Sequence, residues 1–105
     1  MGFDATWHAA NFGHWAAALR DRAQVPVFLN QWTVHHGVTA EQGRFAYMSD
    51  VARELRRLEI GWAWWVWRGS GGAGFPKYGS SGFVWGTGSE AEVDREAIAA
   101  VQPYT

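Results

Sequence analysis

Two apolar runs and the segment between them constrain this chain most. Val25 to Trp32 reads Val-Pro-Val-Phe-Leu-Asn-Gln-Trp, and Gly61 to Arg68 reads Gly-Trp-Ala-Trp-Trp-Val-Trp-Arg. The intervening segment is charged and has helical spacing. Thr39-Ala-Glu-Gln42 has the form of a capping box, and Phe45, Met48, Ala52 and Leu55 fall on one face of a helix reaching about Leu58. Arg56 and Arg57 suit the negative end of its dipole, and Gly61 is placed to help stop it. Apolar run, helix, apolar run is the pattern of a β-α-β unit whose parallel strands are buried on both faces.

The flanking segments continue the alternation. Gly2 to Trp7 reads as a short strand, and Asn11 is placed to cap a helix from about Phe12 to Arg22 with Phe12, Trp15, Ala16 and Leu19 on its apolar face. Gly69 to Gly82 is a glycine- and serine-rich loop, and Phe83 to Trp85 forms a short strand. Ser89-Glu-Ala-Glu92 is a second capping box, opening a helix to Val101 with Val93, Ala97 and Val101 aligned. Strand, helix, strand, helix, strand, loop, helix implies parallel strands joined by right-handed crossovers, and 105 residues make one domain.

Composition narrows the partners. A net charge of −1 argues against nucleic acid, which calls for a basic face. There is no cysteine, so disulfides and thiolate metal sites are excluded. Trp62 to Trp67 is the longest strongly apolar run and falls far short of the roughly 20 residues that cross a bilayer, so no membrane partner is expected. Met1 to Ala10 lacks the basic start and apolar run of a signal peptide. Eight tryptophans are more than a small core absorbs, because each ring is large and its N–H needs a partner. Some rings are therefore expected in a groove or at an interface, where aromatic faces suit the C–H patches of sugar rings.

With a tryptophan at both strand tips, the chain resembles the last strands of a family 5 glycoside hydrolase barrel, the cellulase type. In that family the penultimate strand ends in Asn-Glu-Trp or Gly-Glu-Phe, and its glutamate is the nucleophile. The corresponding position here is Gln31, within Asn30-Gln-Trp32. An aromatic-x-Pro-x-x-Phe-Thr-His pattern after strand six is matched by Trp7, Phe12 and His14, with Ala9 for the proline, Gly13 for the threonine, and Ala5 where the family has a further histidine. The resemblance implies an α/β fold: a partial (half-type) TIM barrel of about three parallel strands with crossover helices, covering nearly the whole chain. A full barrel takes about 250 residues, so this length supplies well under half of one, and the resemblance implies that the part is strands six to eight with their helices. Three parallel strands leave two open edges, which a second copy or a complementary chain is expected to cover.

Retaining glycosidases need two carboxyl groups about 5 Å apart. Gln31 carries no charge, and the family's acid/base glutamate on strand four has no counterpart here. Glu41 is the nearest downstream carboxylate, and the first turn of a helix gives it a reason to exist as dipole compensation. The chain is thus expected to lack catalytic residues, whether Gln31 arose naturally or by engineering. Gln31 also has a purely structural reading, as a strand-end amide bonded to backbone.

Trp65 matches the tryptophan that in the family lies under the sugar at the cleavage point. Alternation sends Trp62, Trp64 and Val66 to one face and Ala63, Trp65 and Trp67 to the other, so Trp65 is either that platform or core. Trp32 is the next platform candidate, and Arg68 either bonds sugar hydroxyls or is solvated. His14 and one of His35 and His36 are expected at the mouth of the groove as neutral hydrogen-bonding groups, and Phe75, Tyr78 and Trp85 are further contacts. Neighbouring histidines on an extended segment point apart, and His8 and His14 match no standard ligand spacing, so no metal is expected. Gly69 to Gly74 lacks the lysine-serine ending of a P-loop, and no cofactor is expected.

The expected substrate-binding set is therefore Trp7, His14, Gln31, Trp32, His35, Trp65 and Arg68, and the expected partner is a β-linked oligo- or polysaccharide. The family resemblance implies an extracellular protein. Two functions stand side by side. One is a glucan-binding protein without its catalytic pair. The other is a barrel fragment that self-assembles through its aromatic face, without a sugar ligand or regaining hydrolysis with a complementary chain.

Overall fold

The computed structural model describes residues 4–66, 82–85 and 92–105. It is a mixed α/β structure holding a two-stranded parallel sheet and a separate two-stranded antiparallel one. Where a strand was expected over residues 2–7, the described part of that segment is helical from Ala5. Asp4 caps this helix, its side chain accepting a hydrogen bond from the Trp7 amide at 3.0 Å. Three segments run on without a break, α1 (Ala5–Asn11), a π-helical stretch (Phe12–Ala17) and α2 (Ala18–Ala23). Asn11, expected as the cap, lies inside the helix and donates its side-chain amide to the Trp7 carbonyl. The capping signal of Asp4 wins because an acceptor there satisfies an orphan amide three residues on. Gln24 ends the helix in the left-handed conformation, φ 56°, and Pro26 prevents its resumption.

The β-α-β unit is present, but its strands are not buried on both faces as expected. Phe28, Asn30 and Gln31 are exposed, because with only two parallel strands paired the outer face has no covering layer among the described residues. β1 (Phe28–Trp32) pairs in parallel with β2 (Gly61–Trp64), and α3 (Arg44–Arg57) joins them. The capping box at Thr39 forms, but not as a helix start. Gln42 Oε1 accepts from the Thr39 amide at 2.9 Å, and the Gln42 amide donates to Thr39 Oγ1 at 3.2 Å. The segment closes on itself as a turn, Gly43 follows at φ 88°, and the helix begins only at Arg44, without a side-chain cap. Glu41 accordingly lies in an exposed turn rather than in a helix first turn.

α3 is the central buttress. Met48, Val51, Ala52 and Leu55 are buried along it. Val51 and Leu55 pack with Ile60, and Phe12, Ala16, Val27 and Leu29 close over them. Met48 and Ala52 pack with Phe83, Ala97 and Val101, alongside Trp62 and Trp64. The first helix is fastened here as well, since Arg20 Nη1 donates to the Leu58 carbonyl just past the end of α3.

The C-terminal elements depart from an all-parallel sheet. β3 (Val84–Trp85) pairs antiparallel with β4 (Glu92–Val93), where a helix was expected to have begun. The helix, α4 (Arg95–Val101), starts three residues later because Asp94 caps it, accepting from the Ala97 amide at 3.0 Å. Val93, expected on the buried helix face, is exposed, whereas Ala97 and Val101 are buried as expected. A 3-10 turn, Gln102–Tyr104, follows α4.

Candidate functional site

The ends of β1 and β2 come together at one place. The Trp65 amide, immediately past β2, donates to the Trp32 carbonyl at 3.0 Å. Gln31 and Trp65 therefore belong to the same strand-tip region, with Gln31 exposed and Trp65 52% exposed.

A slip in the sheet decides which side chains are available. Leu29 is opposite Trp62 and Trp32 opposite Trp64, so three steps on β1 match two on β2. One extra residue is accommodated at Asn30–Gln31, as in a β-bulge. Simple alternation would put Gln31 on the face of Leu29 and Trp32 on the other. The bulge reverses this: Asn30 and Gln31 are both exposed, and Trp32 joins Leu29 against the core. The Trp32 ring meets Trp62 edge-on at 5.4 Å and Trp64 at 4.9 Å, and Trp64 stacks on Phe83 at 4.6 Å. Trp32 is thus a half-buried member of an aromatic cluster and not an open platform.

The other expected contacts are dispersed. Trp7 is exposed on α1 and His14 is exposed in the π-helical stretch, where its ring meets Trp15 edge-on. Both lie on a helix rather than at a strand end. His35 is exposed, its Nδ1 accepting from the Gly37 amide at 2.9 Å. It borders a cavity of about 350 Å³ together with Thr33, Val38, Gln42, Arg44 and Tyr47. Arg68 and the segment 69–81, with Phe75 and Tyr78, lie outside the described residues, as does Trp67.

His36, expected as a possible groove residue, is buried instead. Its Nε2–H donates to the Gly82 carbonyl at 2.6 Å, and its Nδ1 lies 3.5 Å from Asp94 Oδ2. Burial pushes its pKa below the ordinary value, with Arg44 and His35 acting in the same direction and Gly82 and Asp94 opposing. Arg44 Nη1 donates to the same Asp94 oxygen at 2.8 Å. No sequence motif marks this trio, since its members are brought together by the packing of α3 against α4. His8 is fully buried among Trp7, Phe12 and Tyr47, with no hydrogen-bond partner for either ring nitrogen among the described residues.

Among the described residues no group of three potential ligands is placed to hold a metal ion, and no helix is long and apolar enough to cross a membrane. No family model, curated protein or solved structure matches the chain.

Proposed function

We propose that this chain is a partial (β/α) barrel of the family 5 glycoside hydrolase type that binds β-linked glucan at the tips of β1 and β2 and does not hydrolyse it alone. The observation that carries the reading is the exposed Trp65 ring at the strand tips, where the Trp65 backbone amide is bonded to the Trp32 carbonyl and the preceding residue of β1, Gln31, is also exposed. An aromatic face takes the apolar side of a sugar ring, while a carboxamide both donates to and accepts from hydroxyls. Parallel pairing of β1 and β2 through α3 supports the barrel reading, since parallel strands bring their C-terminal ends to one side. With an uncharged amide at Gln31 and no counterpart in the sequence of the family's acid/base glutamate, the reading has the chain without the carboxyl pair that a retaining mechanism needs.

So open a site buries only part of a ligand, and an affinity on the order of millimolar to tens of micromolar is expected. Titrating tryptophan fluorescence with cellohexaose tests the reading. A saturable change in the wild type that is lost in Trp65→Ala supports it, and no change, or an equal change in the variant, rejects it.

A second reading has its own observation. Trp15 is 70% exposed and Phe28 60% exposed, on the first helix and on β1. Apolar surface of this kind suits assembly, with a second copy or a complementary chain extending the sheet.

A further inference from the structure

Arg44 holds a hydrogen-bonding edge that no described residue uses. Its Nη1 donates to Asp94 at 2.8 Å, and the Phe45 ring covers one face of the guanidinium, with Cζ 5.0 Å from the ring centroid. Nε and Nη2 are buried and have no hydrogen-bond partner among the described residues. These two nitrogens lie on the same side of the planar group. Their parallel N–H bonds form the fork that takes both oxygens of a carboxylate. Buried polar groups are nearly always bonded, so two orphaned donors on one buried cation call for an explanation.

The same residue lines the cavity of about 350 Å³ beside β1. His35 and Gln42 are exposed at its rim, Val34, Val38 and Tyr47 are half-buried along it, and Arg44 is buried, so the cavity runs from solvent toward Arg44. Its polar lining is rich in donors. His35 Nδ1 accepts from the Gly37 amide, which places the proton of the neutral ring on Nε2. Gln42 Oε1 accepts from the Thr39 amide, which leaves its NH2 group to donate. No carboxylate lines the cavity among the described residues. α3 also begins here, without a side-chain cap and without an acidic residue in its first turn, so the positive end of its dipole is uncompensated.

We propose that this cavity binds a small monocarboxylate, whose two oxygens pair with Nε and Nη2 of Arg44 and whose short apolar body lies against Val34, Val38 and the Tyr47 ring. The cavity is at the small end of ligand sites, a size for a small molecule rather than a chain of sugars. A single negative charge suits it because Asp94 already neutralises part of the guanidinium. A doubly charged phosphate would meet the repulsion of Asp94 at close range. The site is independent of the strand-tip glucan reading, which uses Gln31 and Trp65.

Benzoate titrated into the full chain at constant ionic strength tests the proposal, followed by the magnetic resonances of the Arg44 Nε–H and the backbone amides of residues 33–47. A saturable shift centred on those positions is expected, with a dissociation constant on the order of a millimolar. Benzamide, which keeps the ring and loses the charge, should bind at least about tenfold more weakly. Arg44→Met combined with Asp94→Asn removes the fork together with its partner carboxylate and should abolish the benzoate response. Four outcomes overturn the site: no saturable shift in the wild type, benzamide binding as tightly as benzoate, inorganic phosphate binding more tightly than benzoate, or an undiminished response in the double variant. Should the double variant fail to fold, the wild-type comparison of benzoate, benzamide and phosphate decides the matter by itself.

Discussion

Arg44 and Asp94 stand 50 positions apart in the sequence and meet at 2.8 Å between the start of α3 and the cap of α4. Both are buried, and removing one strands the other. Asp94→Ala is expected to cost about 3–5 kcal/mol in denaturant unfolding, because it leaves an unpaired buried guanidinium and removes a helix cap. Arg44→Met combined with Asp94→Asn should cost less than Asp94→Ala alone, since no buried charge remains and the cap keeps an acceptor. Equal losses would show that Arg44 finds other solvation.

Gly43 and Gly61 predict opposite outcomes for the same substitution. Gly43 sits at φ 88° with open space around it, so Gly43→Ala meets backbone strain of about 1–2 kcal/mol. A methyl group at Gly61 would lie 2.9 Å from Phe28 Cδ2, but that ring is largely exposed and can swing aside. Gly61→Ala should therefore be tolerated within about 0.5 kcal/mol, as for ordinary surface changes. Thermal unfolding of the two variants gives the comparison.

Replacing Gln31 by a carboxylate tests how far the barrel reading extends. Gln31→Glu supplies one group of a pair, so hydrolysis of cello-oligosaccharides by the pure chain should not reach that of an intact enzyme. Turnover by the wild-type chain that persists on purification and disappears in Gln31→Ala would contradict the expectation of an inactive protein.

Self-association is the expected outcome of the assembly reading, measured by sedimentation across a concentration series. Trp15→Ser and Phe28→Ser should weaken it without unfolding the chain, because both rings are largely exposed. A stable monomer at high concentration would remove this reading.

Long-range order was legible where local periodicity and burial agreed. The β-α-β unit and the face of α3 carrying Met48, Ala52 and Leu55 follow from apolar spacing, and the structure contains both. Helix starts were less legible, because identical capping signals compete: Asp4 and Asp94 cap helices, whereas the Thr39 box closes a turn. Asn30 and Gln31 escaped the alternation rule because a one-residue slip reverses the faces beyond it. The His36–Asp94–Arg44 cluster was invisible, being made by tertiary packing of residues with no shared pattern.

The bond from Arg20 to the Leu58 carbonyl bears on how the chain could be divided. Leu58 lies at the threshold of the second strand, so a residue of the first helix satisfies an acceptor that the β-α-β unit cannot satisfy along its own axis. Phe12 and Ala16, from the same helix, cover Val51, Leu55 and Ile60. A version cut back to begin near Val25 would bare that apolar strip and orphan that oxygen together. The amino-terminal helix is thus part of the minimal folding unit, and the two-stranded parallel sheet is not a separable module.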